Sequence, residues 1–144
     1  MNFKPILIVA GEPNSIFLEI FLKVRKIKIK SPIILIVSQK LLIMQMKKLK
    51  LNKIIKIIDI KKIKKYSLNN KVINIIDVKY NQKKPFEKIS KKSNNYINES
   101  FSIATKLIKQ GFSNKLINGP ISKKTFLNKK KLGITEYISD KFFI

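Results

Sequence analysis

The sequence predicts an α/β fold, a mostly parallel sheet with flanking helices, and three observations carry that prediction. Residues 5–10 and 33–37 are continuous apolar runs without alternation, the signature of strands buried on both faces. Each run ends at a polar or glycine-containing turn, and each turn opens a stretch whose apolar residues recur at helical spacing. Strand-helix-strand-helix in that order implies parallel strands joined by right-handed crossovers.

In chain order, the first strand covers residues 5–10 and stops at Gly11. Gly11-Glu12-Pro13-Asn14-Ser15 is the turn, with Asn14 or Ser15 expected as helix N-cap. Ile16, Ile20, Phe21 and Val24 place a helix over residues 16–26. Ser31-Pro32 breaks the chain before the second strand, 33–37. Ser38 then caps a second helix over 40–49. A third strand is expected at 53–58 and a fourth at 71–78, whereas the lysine-rich stretch 61–70 between them has no periodicity that assigns a structure. Residues 80–93 are polar, contain Pro85, and read as an exposed loop and the most mobile part of the chain. The strongest helical pattern lies at 94–110. There Tyr96, Ile97, Phe101, Ala104, Leu107 and Ile108 make one stripe, with Gly111 at the C-cap. A fifth strand, 115–118, runs into the corner Gly119-Pro120. Residues 122–130 suit a short amphipathic helix, and Thr135 suits the N-cap of a last one. No internal repeat is visible.

Composition narrows the chemistry. At 144 residues and 44% hydrophobic content the chain makes a single α/β unit with a real core. No window holds eighteen apolar residues free of charge, so no membrane span is predicted, and residues 1–11 read as a strand and not as a signal peptide. The absence of cysteine excludes disulfides and thiolate metal sites and fits a reducing cytoplasm. The absence of histidine excludes a histidine-based nucleophilic triad and a three-histidine metal centre.

A net charge of +24 raises a nucleic-acid hypothesis. Yet 31 of the 32 basic residues are lysine, spread along the whole chain, and about one residue in five is isoleucine. Lysine, isoleucine and asparagine share AT-rich codons. A selected nucleic-acid surface favours arginine for bidentate contacts. Codon-driven drift is therefore the preferred reading, with a basic nucleic-acid-binding protein as the alternative. Nonspecific, salt-sensitive polyanion binding is expected in either case.

The chemistry-bearing candidates gather where strands end. Glu12 and Glu19 flank the start of the first helix, where carboxylates are favoured by the helix dipole whatever the function. Asp59 and Asp77 each follow a strand and suit turn formation. Gly11-Glu12-Pro13 lacks the further glycines of a dinucleotide-binding or phosphate-binding loop. Lys123, just past the Gly-Pro corner, is placed to meet an anion or to sit in solvent. Thr135 and Glu136 beside Gly133 suit a phosphate or hydroxyl contact, or a helix cap.

Taken together, these loops resemble the N-terminal part of the 4-hydroxythreonine-4-phosphate dehydrogenase family of vitamin B6 biosynthesis. That family opens with Gly-Asp-Pro-Ala-Gly-Ile-Gly-Pro-Glu, where this chain has the loop from Gly11-Glu12-Pro13 to Glu19. Its long helix carries a tyrosine near the start and leads through Gly and a strand to Thr-Ala/Gly-Pro-Ile-Asn/Ser-Lys. Here Tyr96 to Gly111 is followed by Asn118-Gly119-Pro120-Ile121-Ser122-Lys123. The family's Gly-His-Thr-Glu motif is matched by Gly133-Ile134-Thr135-Glu136, followed by Tyr137.

The resemblance implies the first half of an isocitrate/isopropylmalate dehydrogenase-like fold, so residues 1–144 are expected to be an N-terminal fragment of a longer two-domain enzyme. It implies an NAD- and divalent-metal-dependent oxidation, then decarboxylation, of a small phosphorylated hydroxy amino acid, in a cytoplasmic homodimer. A relative acting on another phosphorylated hydroxy acid is a further alternative. In the family the metal polarises the substrate alcohol while hydride passes to NAD. The family's His-Thr pair binds substrate and carries over to Ile134 and Thr135, of which only Thr135 retains a polar group. Glu12 and Lys123 are the other loop candidates. The metal-binding histidines belong to the family's second half, so no catalytic residue and no metal ligand is assigned within this chain. The isolated chain is expected to lack dehydrogenase activity.

Overall fold

A computed structural model describes residues 3–24, 28–127 and 133–143. Its elements are β1 (Ile6–Val9), α1 (Phe17–Lys23), β2 (Ile33–Val37), α2 (Gln39–Lys48), β3 (Ile55–Ile57), β4 (Ile73–Asp77), α3 (Asn94–Lys109), β5 (Lys115–Asn118) and α4 (Ile134–Phe143). Short 3₁₀ turns occupy Ile60–Lys65 and Lys91–Ser93.

The five strands form one sheet in the order β3-β4-β2-β1-β5, and every pairing is parallel. The α/β expectation is met, and the reason is visible in the central strands. Leu7, Val9, Ile34, Ile36 and Ile76 point to one face and Ile8, Leu35, Val37, Ile73 and Ile75 to the other. Both faces are covered, which is why these strands read as unbroken apolar runs.

Helices α1 and α2 cover one face through Leu18, Leu22, Leu41, Leu42 and Met46. Helix α3 covers the other through Tyr96, Ile97, Phe101, Ala104 and Leu107, with Ile134, Tyr137 and Ile138 of α4 packed against that cluster. The connection leaving β1 and the one leaving β5 therefore run to opposite faces, and so do those leaving β2 and β4. Such reversals open crevices at the carboxyl ends of the strands.

Several expected boundaries shift. Neither Asn14 nor Ser15 is the N-cap of α1. Ile16 occupies that position without a side-chain bond, although the Ser15 hydroxyl accepts from the Phe17 amide at 3.3 Å. The helix is described only to Lys23, and residues 25 and 26 of the expected span lie outside the described residues. Ser38 does cap α2, accepting from the Leu41 amide. Residues 123–126 form turns in place of the expected helix, while 128–130 lie outside the described residues. Thr135 is in the first turn of α4 and does not precede it. Here the Gly133 carbonyl accepts from the Tyr137 amide, so the helix begins one residue earlier.

Candidate functional site at the carboxyl edge of the sheet

The loops after β1 and β5 lock onto each other. The Gly119 amide donates to the Val9 carbonyl at 2.7 Å and the Glu12 amide to the Pro120 carbonyl at 2.8 Å, so pairing continues beyond both strands. A Cβ on Gly119 would fall 2.0 Å from the Ala10 carbonyl oxygen, and one on Gly11 2.4 Å from that of Pro120. Gly11 also has φ +77, open to glycine at little cost. Both glycines are thus required by contact between backbones. The space that a phosphate would need at Gly11 is filled by the neighbouring loop.

Glu12 turns inward, with only 3% of its surface exposed. One carboxylate oxygen accepts from the Ser93 hydroxyl at 3.0 Å and the other from the Asn14 amide at 3.2 Å. Ser93 also donates to the Ser90 carbonyl, at 3.0 Å. Residue 12 thereby ties the β1 loop to the start of α3. This role differs from the helix-dipole placement read from the sequence.

Beside this anchor lies the segment 80–93, a largely exposed loop as expected, which is nevertheless pinned at several points. The Gln82 side chain is buried and donates to the Lys84 and Pro85 carbonyls and to Asn14 Oδ1. Asn14 Oδ1 also accepts from the Glu87 amide at 2.8 Å. Gln45, fully buried on α2, donates to the carbonyls of Pro13 and Pro85 at 2.9 and 2.8 Å. Tyr80 packs beside Tyr96 with ring centroids 5.0 Å apart.

Burial raises the Tyr80 phenol above its ordinary pKa, and the negative charges of Glu12 and Glu87 raise it further. Burial likewise raises Tyr96 strongly, against a smaller opposing effect from the Ser38 amide, which donates to its oxygen. Both phenols are therefore held neutral and available as donors.

The acids that follow strands serve as caps. Asp77 Oδ1 accepts from the Gln39 amide at the start of α2, and Asp59 Oδ1 from the Lys61 amide. Glu19 pairs with Lys23 one turn along α1. Glu87 accepts from the Lys83 and Lys84 amides, which lower its pKa.

The sequence-predicted site residues lie in different surroundings. Glu12 is buried beneath the start of α3, Lys123 is exposed in the turn after Pro120, Thr135 is exposed on α4, and Ile134 packs toward the α3 cluster. Among the described residues no group of three or more His, Cys, Asp or Glu could hold a metal ion. The buried Glu12 and the capping Asp59 and Asp77 are already bonded, so among the described residues these acids do not fit a divalent metal. The filled Gly11 corner does not fit a dinucleotide pyrophosphate. Sequence reasoning misses Ser93, Gln45, Gln82 and Asn14 as partners of the loop. Each is a polar residue with no periodic signature, and only the fold brings them together.

The arrangement defines a doubly wound parallel α/β unit, with braced loops where strand connections reverse. That fold is shared with solved dehydrogenases. A 4-hydroxythreonine-4-phosphate dehydrogenase from Burkholderia phymatum matches 97% of this chain with a TM-score of 0.78 at 17% identity. One from Klebsiella pneumoniae matches 96% at 0.77 and 19%. A provisionally described 4-hydroxythreonine-4-phosphate dehydrogenase from Salmonella typhimurium matches 96% at 0.78 and 20%. In all three, this chain spans 44% of the neighbour's length. No family model matches the sequence, and no curated protein does. No helix among the described residues is long and apolar enough to cross a membrane.

Proposed function

We propose that this chain forms the substrate-side wall of an enzyme related to 4-hydroxythreonine-4-phosphate dehydrogenase. The observation that carries the reading is the near-complete structural match to such enzymes, 96–97% of this chain at TM-scores of 0.77–0.78. The motif correspondences at Gly11, Gly119 and Gly133 support it independently. In this reading residues 1–144 are one α/β unit of a two-domain, cytoplasmic, homodimeric enzyme. The substrate is a small phosphorylated hydroxy amino acid, and Lys123 and Thr135 are the polar groups offered to it. NAD and the divalent metal, which would supply hydride acceptance and polarisation of the alcohol, are assigned in this reading to residues outside this chain. The interlocked loops, with Glu12 as their buried anchor, give the wall its shape.

The test is an assay of the purified chain with 4-phosphohydroxythreonine, NAD and magnesium. No NAD reduction is expected. Metal-dependent reduction by this chain alone would refute the assignment of the catalytic machinery elsewhere.

A further inference from the structure

At two places in the sheet, neighbouring strands send their connections to opposite faces, β1 with β5 and β2 with β4. Ligands of open α/β sheets bind in crevices at such reversals. Between β1 and β5 the space is filled, because the Gly119 and Glu12 amides tie the two loops together and backbone meets backbone at Gly11 and Gly119. The last residues of β2 and β4, Val37 and Asp77, lie opposite each other, and Asp77 holds the first turn of α2 through the Gln39 amide. Here a cleft of about 480 Å³ remains, lined by Lys40 of that turn and by Asn81, Gln82, Lys83, Glu87 and Lys92 of the loop after β4.

Codon usage accounts for lysine anywhere on the surface, but not for the rest of this wall. Glu87, one of eight acidic residues in the chain, accepts from the Lys83 and Lys84 amides, which lower its pKa and keep it charged. Asn81 Oδ1 accepts from the Lys40 ammonium at 3.3 Å. Gln82 is only 6% exposed. Its Nε2 donates to Asn14 Oδ1 and to the Lys84 and Pro85 carbonyls, whereas its Oε1 has no partner among the described residues. A buried acceptor without a donor is destabilising, so a hydroxyl offered to Gln82 is favoured.

We infer that this cleft binds one small phosphorylated polyol, its phosphate met by Lys40, Lys83 and Lys92 and a hydroxyl donating to Gln82 Oε1. Lysine meets phosphate as a point charge, and a cleft of this volume suits a small molecule. Glu87 in the same wall opposes a second anionic group. A continuous phosphate backbone is thereby disfavoured, and so is a phosphorylated acid of the kind proposed for the β5 edge. The inference stands on this cleft alone and does not depend on the dehydrogenase reading.

The experiment titrates the isotope-labelled full chain with glycerol 3-phosphate and follows backbone amide shifts, with methyl phosphate and 3-phosphoglycerate as comparators. Saturable shifts are expected at Lys40, at residues 81–83 and at Lys92. Methyl phosphate has no carbon-bound hydroxyl and 3-phosphoglycerate adds a carboxylate, so each should bind at least about tenfold more weakly. Lys40→Gln and Lys83→Gln should weaken glycerol 3-phosphate by about tenfold, whereas Lys47→Gln, in the last turn of the same helix, should leave its affinity unchanged. All three lysines are exposed, so these variants keep the fold. The absence of saturable shifts at the cleft would overturn the inference. Equal affinity for methyl phosphate, or tighter binding of 3-phosphoglycerate, would do the same. So would equal weakening by Lys47→Gln, which would mark the binding as diffuse attraction to lysine.

Discussion

The Ser93 hydroxyl donates to the buried carboxylate of Glu12 across 81 positions of sequence, at 3.0 Å. This bond joins the loop leaving β1 to the start of α3, the helix on the face opposite α1. Removing the donor strands an acceptor out of contact with water, which costs about 1–3 kcal/mol. Ser93→Ala is therefore expected to lower the stability measured by urea unfolding by that amount at unchanged m-value, and Ser93→Thr to restore most of it. An alanine variant with wild-type stability would show that the bond contributes nothing.

Glycine substitutions should fall in a definite order. A methyl at Gly119 meets the Ala10 carbonyl at 2.0 Å, backbone against backbone, so Gly119→Ala is expected to prevent folding or cost well over about 3 kcal/mol. Gly111 has φ +71 but open space around it, so Gly111→Ala should cost only about 1–2 kcal/mol of left-handed strain. Gly133 meets nothing and has ordinary φ, so alanine there should be neutral. Thermal melts of the three variants check the ranking.

Much of the scaffold is legible in the amino-acid order alone. Strands β2 and β5 coincide with the apolar run at 33–37 and the expected strand at 115–118, because a strand that is buried or ends at a Gly-Pro corner announces itself locally. The site is less legible. Glu12 has the sequence position of a helix-dipole carboxylate, and nothing near it in sequence points to Ser93. The polarity of segment 80–93 matches its largely exposed course, but nothing in it reveals that Gln45 and Gln82 bond its carbonyls, Gln45 from a helix far away in sequence. Amphipathic spacing at 122–130 suggests a helix, but Ile121 and Phe126 reach the α3 core without one. Apolar periodicity reports burial, and turns can achieve the same burial.

Alkaline pH should destabilise the fold through its phenols. Tyr96 is buried and its pKa in the folded state is raised by desolvation. The stabilising effect of keeping it neutral is complete below the unfolded value near 10 and is lost as pH rises through the folded one. Stability is thus expected to be insensitive to this group up to about pH 10 and to fall above it, by at most about 1.4 kcal/mol per pH unit for one tyrosine. Urea titrations of wild type and Tyr96→Phe at pH 8 to 11 should converge as pH rises. Parallel curves would assign the loss to the lysines instead.

Charge from codon usage and a selected nucleic-acid surface differ in salt response. Binding to random DNA and RNA is expected to weaken steeply and equally between low and physiological salt, without preference for sequence or structure. A preference surviving at physiological salt, measured by fluorescence anisotropy, would favour the nucleic-acid alternative.

The most direct measurement is a titration of the isotope-labelled chain with 4-phosphohydroxythreonine, following backbone amide shifts. A substrate-side wall predicts shifts concentrated at Gly119, Ser122 and Lys123 and at Thr135 and Glu136, lost in Lys123→Glu, with the surface of α2 unaffected. No shift at any of these positions at millimolar ligand, or shifts scattered over the lysine-rich surface and reproduced by inorganic phosphate, would contradict a substrate-side wall at this edge of the sheet.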